Sequence, residues 1–265
     1  MATLIENGGW HEWLCKTNFS FLLGASHPED ILQRTQEVHY QGLCINDMDG
    51  VYGLARSYLK HRKIEGATYD LRYGIEVHLQ QDHDLPILLQ DTLVLVAQSL
   101  KGYSNICKIS NRAHKKSKAK AFIPLANLLE MDVEDVVALQ PMRGALRHPQ
   151  FQPQTRFPQL KEHFNGRFYL CGSRHLHRSE DLWLIKVLQW AQSFSIPFLY
   201  SQDAFFHAPS QKPLSDLLHS IRTNLPLEHA QAHFFPNGER YLHTLSSLEK
   251  LYGPLPDFKG ALERS

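Results

Sequence analysis

Residues 13–53 read WLCKTNFSFLLGASHPEDILQRTQEVHYQGLCINDMDGVYG. Short apolar runs at residues 10–15 and 43–45 predict two β-strands, each followed by polar residues. Between them, Ser26 is the predicted N-cap of a helix that extends to Val38, because acidic residues fill the turn that follows it. Functional groups of α/β barrels lie at the carboxyl ends of the strands. The polar residues that end these two strands therefore predict a site at that end of the fold.

The remainder of the chain continues the alternation of predicted strands and helices. Further strands are predicted at residues 71–79, 92–97, 136–139, 168–171 and 197–200, and helices at 52–62, 102–113, 124–131, 160–164, 182–194 and 214–221. Residues 141–158 contain four prolines and show little periodicity, which predicts a long loop. The alternation predicts an α/β fold with a mainly parallel sheet or barrel.

Length and composition exclude several classes of protein. The chain has 265 residues, of which 43% are hydrophobic, so one large domain or two small ones could bury a core. Its formal net charge is +1, which does not favour nucleic-acid binding by the chain as a whole. The four cysteines are widely separated, and neither a secretory signal nor an apolar run long enough to cross a membrane is found. We therefore expect a cytoplasmic protein with free thiols and no membrane contact.

One segment concentrates positive charge. It contains Arg112, Lys115, Lys116, Lys118 and Lys120. A solvated loop and a contact with a nucleic-acid phosphate backbone are both consistent with this run. Salt-dependent DNA binding that is lost when Lys115 and Lys116 are neutralised would indicate the second alternative.

Four segments, two of them within residues 13–53, occur in an order that points to a known family. They read NFSFLLGASHPEDIL, INDMDGVYG, GYSNICKISNRAH and SQDAFFHAPSQKPLSDLLHSIR. Together they resemble the PHP (polymerase and histidinol phosphatase) domain, above all the one at the N-terminus of the bacterial error-prone DNA polymerase III alpha subunit. The resemblance covers nearly the whole chain and implies a distorted (β/α)7 TIM-like barrel, with metals bound at the carboxyl ends of its strands.

The resemblance also implies a division of the chain. Residues 1–225 would form the PHP-like barrel, and residues 226–265 a C-terminal extension packed on it. The extension ends about where the polymerase domains of such proteins would begin. The chain would then have no room for a polymerase palm, so we expect that it is not a polymerase by itself.

Most positions that match the family's metal motifs carry other residues here. These positions are Leu14, Lys16, Leu23, Asp47, Met48, Glu76, Cys171, Asp203 and Phe205. The family has a His-x-His motif at the positions of Leu14 and Lys16, and histidines at the positions of Met48 and Phe205. Asp47, Glu76 and Asp203 retain carboxylates. Because leucine, methionine and phenylalanine cannot coordinate hard cations, we expect no metal cluster and no other cofactor.

Lys16 is the most informative of these substitutions. If the three carboxylates lie together in a buried pocket, leaving them unpaired is costly. We therefore expect the Lys16 ammonium to form an internal salt bridge with one or more of Asp47, Glu76 and Asp203. The alternative is an exposed lysine at the end of the strand. The neighbouring Cys15 is expected to be a packed thiol and not an activated nucleophile, because no base or orienting partner is evident.

Sixteen histidines raise the question of whether other imidazoles replace the missing ligands. His78 lies two residues after Glu76 and is expected on the same side of its strand. A ligand role is nevertheless not predicted for it. His114 and His207 are expected to lie at the surface.

Three functions remain open at this point. The preferred one is a catalytically silent PHP protein that acts as a structural or protein-binding module in DNA replication or repair. Its partner would be a polymerase, an exonuclease or another protein of these processes. The second is a metal-dependent phosphoesterase or 3'-5' exonuclease in which Asp47, Glu76 and Asp203 hold Mg²⁺, Mn²⁺ or Zn²⁺. The third is a DNA-binding accessory protein that uses the basic segment.

Overall fold

A single sheet organises the described part of the chain. The computed structural model describes residues 9–115, 117, 120–147, 151–177 and 180–264. The strands are β1 His11–Cys15, β2 Gly42–Met48, β3 Asp70–His78, β4 Thr92–Ala97, β5 Val136–Pro141, β6 Phe168–Gly172 and β7 Phe198–Tyr200. They lie in chain order across the sheet, and neighbouring strands are parallel except where β4 meets β3 and β5. The predicted α/β fold with a mainly parallel sheet is confirmed.

The sheet curves so that the segment after β7 meets β1. The backbone N–H of Lys16 donates to the carbonyl oxygen of Ala204 at 2.9 Å, and the N–H of Ala204 donates to that of Leu14 at 2.7 Å. These bonds join the first strand to the chain that leaves the last, as in a small barrel. They also place the ends of β1 and β7 side by side, which brings Lys16 and Asp203 into one region.

β4 runs opposite to β3, and no α-helix connects these two strands. The connecting loop contains only the 3-10 turn Ile87–Leu89. A connection without an α-helix suits antiparallel neighbours, whereas parallel strands are usually joined by a crossover that contains an α-helix. The first residue of β4, Thr92, is consequently paired with His78 at the end of β3. This orientation places Thr92 at the barrel end that also carries Glu76.

Helices flank the sheet, and two predictions about them are wrong. The described helices are α1 Pro28–Glu37, α2 Leu54–His61, α3 Leu100–Ala113, α4 Leu125–Leu128, α5 Pro153–His163, α6 Glu180–Ser193, α7 Lys212–Thr223, α8 Leu245–Tyr252 and α9 Phe258–Glu263. Residues 141–158 are not one long loop, because a 3-10 turn forms at Gly144–Arg147 and α5 begins at Pro153. Pro153 is tolerated at the first position of α5, because the first N–H groups of a helix have no partner within the helix. Ser26 does not cap α1, because its hydroxyl lies 2.7 Å from Nδ1 of His207.

Apolar side chains fill the barrel and the space between the sheet and the helices. Cys15 is fully buried among them, as expected for a packed thiol, and burial raises the pKa of that thiol. The C-terminal segment packs on the same core, since the Tyr252 ring lies 5.3 Å from Trp10 and 5.2 Å from Tyr200. In the part of the chain that is described, no helix is both long and apolar enough to cross a bilayer.

Candidate functional site

Lys16 extends from the end of β1 into the barrel mouth, where its side chain is fully buried. Its Nζ lies 2.7 Å from Oε2 of Glu76 and donates to Oδ1 of Asn46 at 2.5 Å. The predicted internal salt bridge is therefore confirmed with Glu76, and the alternative of an exposed Lys16 is wrong. Among the described residues, Lys16 makes no ion pair with Asp47 or Asp203.

Two arginines complete a cluster that was not predicted. Nε of Arg143 lies 2.8 Å from Oδ2 of Asp203, and its Nη2 lies 2.6 Å from the Glu76 carboxylate. Arg240, which precedes α8, places Nη1 2.5 Å from the Asp203 carboxylate. Both arginines were missed because they lie in segments predicted to be a loop and a tail. We call Lys16, Glu76, Arg143, Asp203 and Arg240 the charge network.

The charge network holds its two carboxylates in the ionised form. Burial by itself raises the pKa of Glu76, but the charges of Arg143 and Lys16 outweigh burial and keep that pKa below its ordinary value. Burial also raises the pKa of Asp203, yet Arg143 and Arg240 hold it well below its usual range. Three cations facing two carboxylates leave the network with a surplus of positive charge.

Asp47 does not take part in the charge network. Its Oδ1 accepts hydrogen bonds from the backbone N–H of Thr17 at 2.8 Å and from the Ser20 hydroxyl at 2.7 Å. Its Oδ2 accepts from the backbone N–H of Gly53 at 3.0 Å. A Cβ at Gly53 would lie 2.4 Å from that oxygen, so only glycine permits this approach. Asp47 therefore fixes the loop after β1 to the start of α2.

The other positions that match the family's metal motifs are apolar or thiol side chains, and all are buried. Leu14 and Cys171 pack in one interior cluster, and Leu23, Met48 and Phe205 in another. Burial raises the pKa of the Cys171 thiol well above its ordinary value, which keeps it protonated. None of these five side chains offers an oxygen or nitrogen ligand.

Phe205 contacts the charge network from the side where the family has a histidine. Its ring centroid lies 6.0 Å from Nζ of Lys16, 5.8 Å from Cζ of Arg143 and 5.9 Å from Cζ of Arg240. The face of an aromatic ring attracts cations at such distances. The Phe205 ring therefore stabilises the positive side chains of the charge network.

The metals that the resemblance implies do not fit the residues present. Ammonium and guanidinium groups occupy the oxygens of Glu76 and Asp203, and hydroxyl and amide donors occupy those of Asp47. A divalent cation between Glu76 and Asp203 would have to displace Lys16 or Arg143 and would lie beside like charge. Within the described ranges, the one group of side chains spaced to hold an ion lies outside the charge network.

The basic segment is described only in part. Lys116 and Lys118 lie outside the described residues. Nζ of Lys120 lies 2.7 Å from a carboxylate oxygen of Asp84. Arg112 and Lys115 are exposed near the end of α3. An ion pair with a neighbouring loop is typical of a solvated segment. A contact with nucleic acid stays a prediction.

Two histidines that were expected at the surface are partly buried. Nε2 of His114 lies 2.9 Å from the backbone oxygen of Asp49, and Nδ1 of His207 lies 2.7 Å from the Ser26 hydroxyl. The prediction failed because each ring is covered by a loop that is distant in sequence. Neither imidazole reaches the charge network.

Comparisons with known proteins identify the family of the chain. The sequence model of one family, described as PHP domain, matches residues 14–175. The error-prone DNA polymerase of Pseudomonas aeruginosa is 30% identical over 253 residues, which cover 95% of this chain and 23% of that protein. The error-prone DNA polymerase of Anaeromyxobacter dehalogenans is 28% identical over 246 residues, which cover 93% of this chain and 21% of that protein. The chain thus spans less than a quarter of the length of these relatives.

Among solved structures, an amidohydrolase from Chromobacterium violaceum is similar, with a TM-score of 0.48 and 12% sequence identity. The similarity covers 74% of this chain and 87% of that one. The match to the family's sequence model extends over more than half of the chain and includes the end of β1 and all of β2 to β6. The chain belongs to the PHP domain family.

Proposed function

We propose that this chain is a catalytically silent PHP module that acts by binding a protein of DNA replication or repair. The observation that carries the proposal is the charge network, in which three cationic side chains pair with two of the three remaining carboxylates, Glu76 and Asp203. Hydrolysis of phosphoesters by metal ions requires free ligands around an open position. Here the ligands are engaged and the position is filled by side chains.

The network accounts for the retention of Glu76 and Asp203 without a catalytic role. Both carboxylates are fully buried, and a buried carboxylate is stable only when it is paired and hydrogen-bonded. Arg143 pairs with both of them, so it holds β3 and the end of β7 together. A structural role of this kind preserves the barrel as a rigid surface for a partner.

Hydrolytic activity tests the silent part of the proposal. We expect the purified protein to hydrolyse neither bis-p-nitrophenyl phosphate nor the 3' end of DNA above the rate without protein, in Mg²⁺, Mn²⁺ or Zn²⁺. The physical reason is that the cations of the charge network exclude metal ions from Glu76 and Asp203. Activity that increases with protein concentration and is lost in Glu76→Gln would contradict the proposal. A protein prepared with Glu29→Gln, which changes a half-buried carboxylate on α1 outside the charge network, is the matched control.

A helix face offers a surface for the partner. Leu214, Leu217 and Ile221 of α7 are each more than 40% exposed and lie on one side of the helix. Arg222 of the same helix donates to the backbone oxygen of Phe21, a residue that is 76% exposed. Single exposed apolar residues are ordinary, but a group of them is typical of a protein-binding surface. We assign the partner contact to this face of α7.

Binding to a DNA polymerase III alpha-type subunit from the same cell tests the surface. We expect Leu217→Glu to weaken that binding by about 10-fold or more, since a buried charge without a partner costs well over 1 kcal/mol. Leu100→Glu is the matched control, because Leu100 is an exposed leucine on α3. Isothermal titration with each variant measures the affinities. Equal affinity of the two variants would reject α7 as the contact surface.

A further inference from the structure

A second cluster of side chains lies near the barrel mouth, outside the charge network. It consists of Asp49, which follows β2, His78, which ends β3, and His83 in the loop between β3 and β4. Nδ1 of His78 lies 2.9 Å from Oδ2 of Asp49, and Nε2 of His83 lies 3.7 Å from the same oxygen. One donor atom from each residue lies within 4.8 Å of the other two. This spacing is compatible with ligands of one ion.

The hydrogen bonds of Gln90 determine which ring nitrogen of His78 carries a proton and which one is directed at Asp49. The Gln90 amide nitrogen donates to the backbone oxygens of His83 at 3.2 Å and Leu85 at 2.7 Å. Its Oε1 therefore accepts, and it lies 2.8 Å from Nε2 of His78, which must carry a proton. Nδ1 of His78 is then left to face the Asp49 carboxylate. Only a proton or a cation between those two atoms makes the contact favourable.

His83 supplies an independent observation. Its imidazole is 7% exposed, and neither ring nitrogen has a hydrogen-bond partner among the described residues. The ring stacks on His78 with centroids 3.9 Å apart, which directs its edge toward Asp49. Buried polar atoms normally have a hydrogen-bond partner. Two unpaired imidazole nitrogens beside a carboxylate therefore indicate a ligand-binding position.

We propose that Asp49, His78 and His83 bind one divalent transition-metal ion, for which Zn²⁺ is the best match. Two imidazoles and one carboxylate suit Zn²⁺ and leave its fourth position to water. On binding, the ion replaces the proton that Nδ1 of His78 shares with Asp49, and that proton is released to solvent. Gln90 holds the opposite nitrogen of His78, as the outer partners of metal-bound histidines commonly do.

The metal would fasten the loop of residues 79–91 to the ends of β2 and β3. That loop carries both His83 and Gln90, and only a 3-10 turn gives it regular structure. An ion that binds the folded state and not the unfolded chain raises the free energy of unfolding. The role is structural and does not depend on whether the charge network is silent.

Titration of the metal-free protein with Zn²⁺ in competition with a chromogenic chelator tests the site. We expect one equivalent to bind, with a rise in the melting temperature. Gln90→Leu should weaken Zn²⁺ binding by about 10–100-fold, the effect that is typical when an outer partner of a metal ligand is lost. His83→Ala and Asp49→Asn each remove a ligand and should weaken binding by more than this. His39→Asn, which removes an exposed imidazole outside the cluster, should bind as the wild type does.

Several outcomes would overturn the site. One is the absence of stoichiometric Zn²⁺ binding to the wild-type protein. Another is a His83→Ala variant that binds Zn²⁺ as tightly as the wild type. A third is Zn²⁺ affinity that is lost in Glu76→Gln but retained in His83→Ala, because this result would place the ion in the charge network. Circular dichroism of the metal-free variants shows whether they fold, and His83→Gln replaces His83→Ala if the alanine variant does not. Hydrolysis assays decide the proposed function separately.

Discussion

Arg143→Met is expected to lower the free energy of unfolding by about 3–5 kcal/mol. The guanidinium of Arg143 lies between the buried carboxylates of Glu76 and Asp203, and its side chain is 2% exposed. Methionine fills similar space but leaves both carboxylates with less positive charge. Glu76 keeps Lys16 and Asp203 keeps Arg240 in this variant, but each carboxylate loses one buried, hydrogen-bonded ion pair, and breaking a buried pair is strongly destabilising. Urea denaturation at neutral pH measures the difference.

The control for this variant is Arg56→Met. Arg56 pairs with Glu29 at 2.7 Å, but the two side chains are 47% and 34% exposed. Exposed ion pairs contribute at most about 1 kcal/mol, so the control should change stability little. A loss no larger than that of Arg56→Met would show that the charge network does not stabilise the barrel.

His219→Phe is expected to leave stability nearly unchanged at pH 7 and to raise it by about 2 kcal/mol at pH 5. His219 is buried on α7, and burial together with the charges of Arg222 and Lys212 lowers its pKa from 6.5 to about 4. The unfolded chain therefore takes up a proton at pH 5 that the folded chain does not. Stability due to the neutral imidazole is present above pH 6.5 and is lost as the pH falls toward 4.

The surroundings of His219 support phenylalanine as the replacement. The imidazole lies edge-on to Phe235 with centroids 5.0 Å apart, and neither of its nitrogens has a hydrogen-bond partner among the described residues. A ring of similar shape thus fills the same space without leaving a polar group unpaired. Urea denaturation of both proteins at pH 7 and pH 5 measures the effect. Parallel changes of stability with pH in the two proteins would mean that His219 is protonated in the folded state.

The family and the barrel could be predicted from local patterns. Apolar runs that end in polar residues marked the strands, and ordered motifs from residue 18 to residue 222 carried the resemblance. Lys16 could also be paired correctly, because buried carboxylates require positive partners and Lys16 stood at a matching strand end. The antiparallel β4 was not foreseen, since a strand has the same alternation of residues in either direction.

The composition of the charge network was decided by tertiary structure. Arg143 enters it from a turn that begins just after β5, and Arg240 enters it from the segment before α8. The cluster of Asp49, His78 and His83 likewise depends on how the loop after β3 folds back. Sequence determined which residues could be charged or could bind a metal, because those properties belong to single side chains. Only the folded barrel decided which of them meet, because Coulomb forces and coordination depend on distance in space and not on separation along the chain.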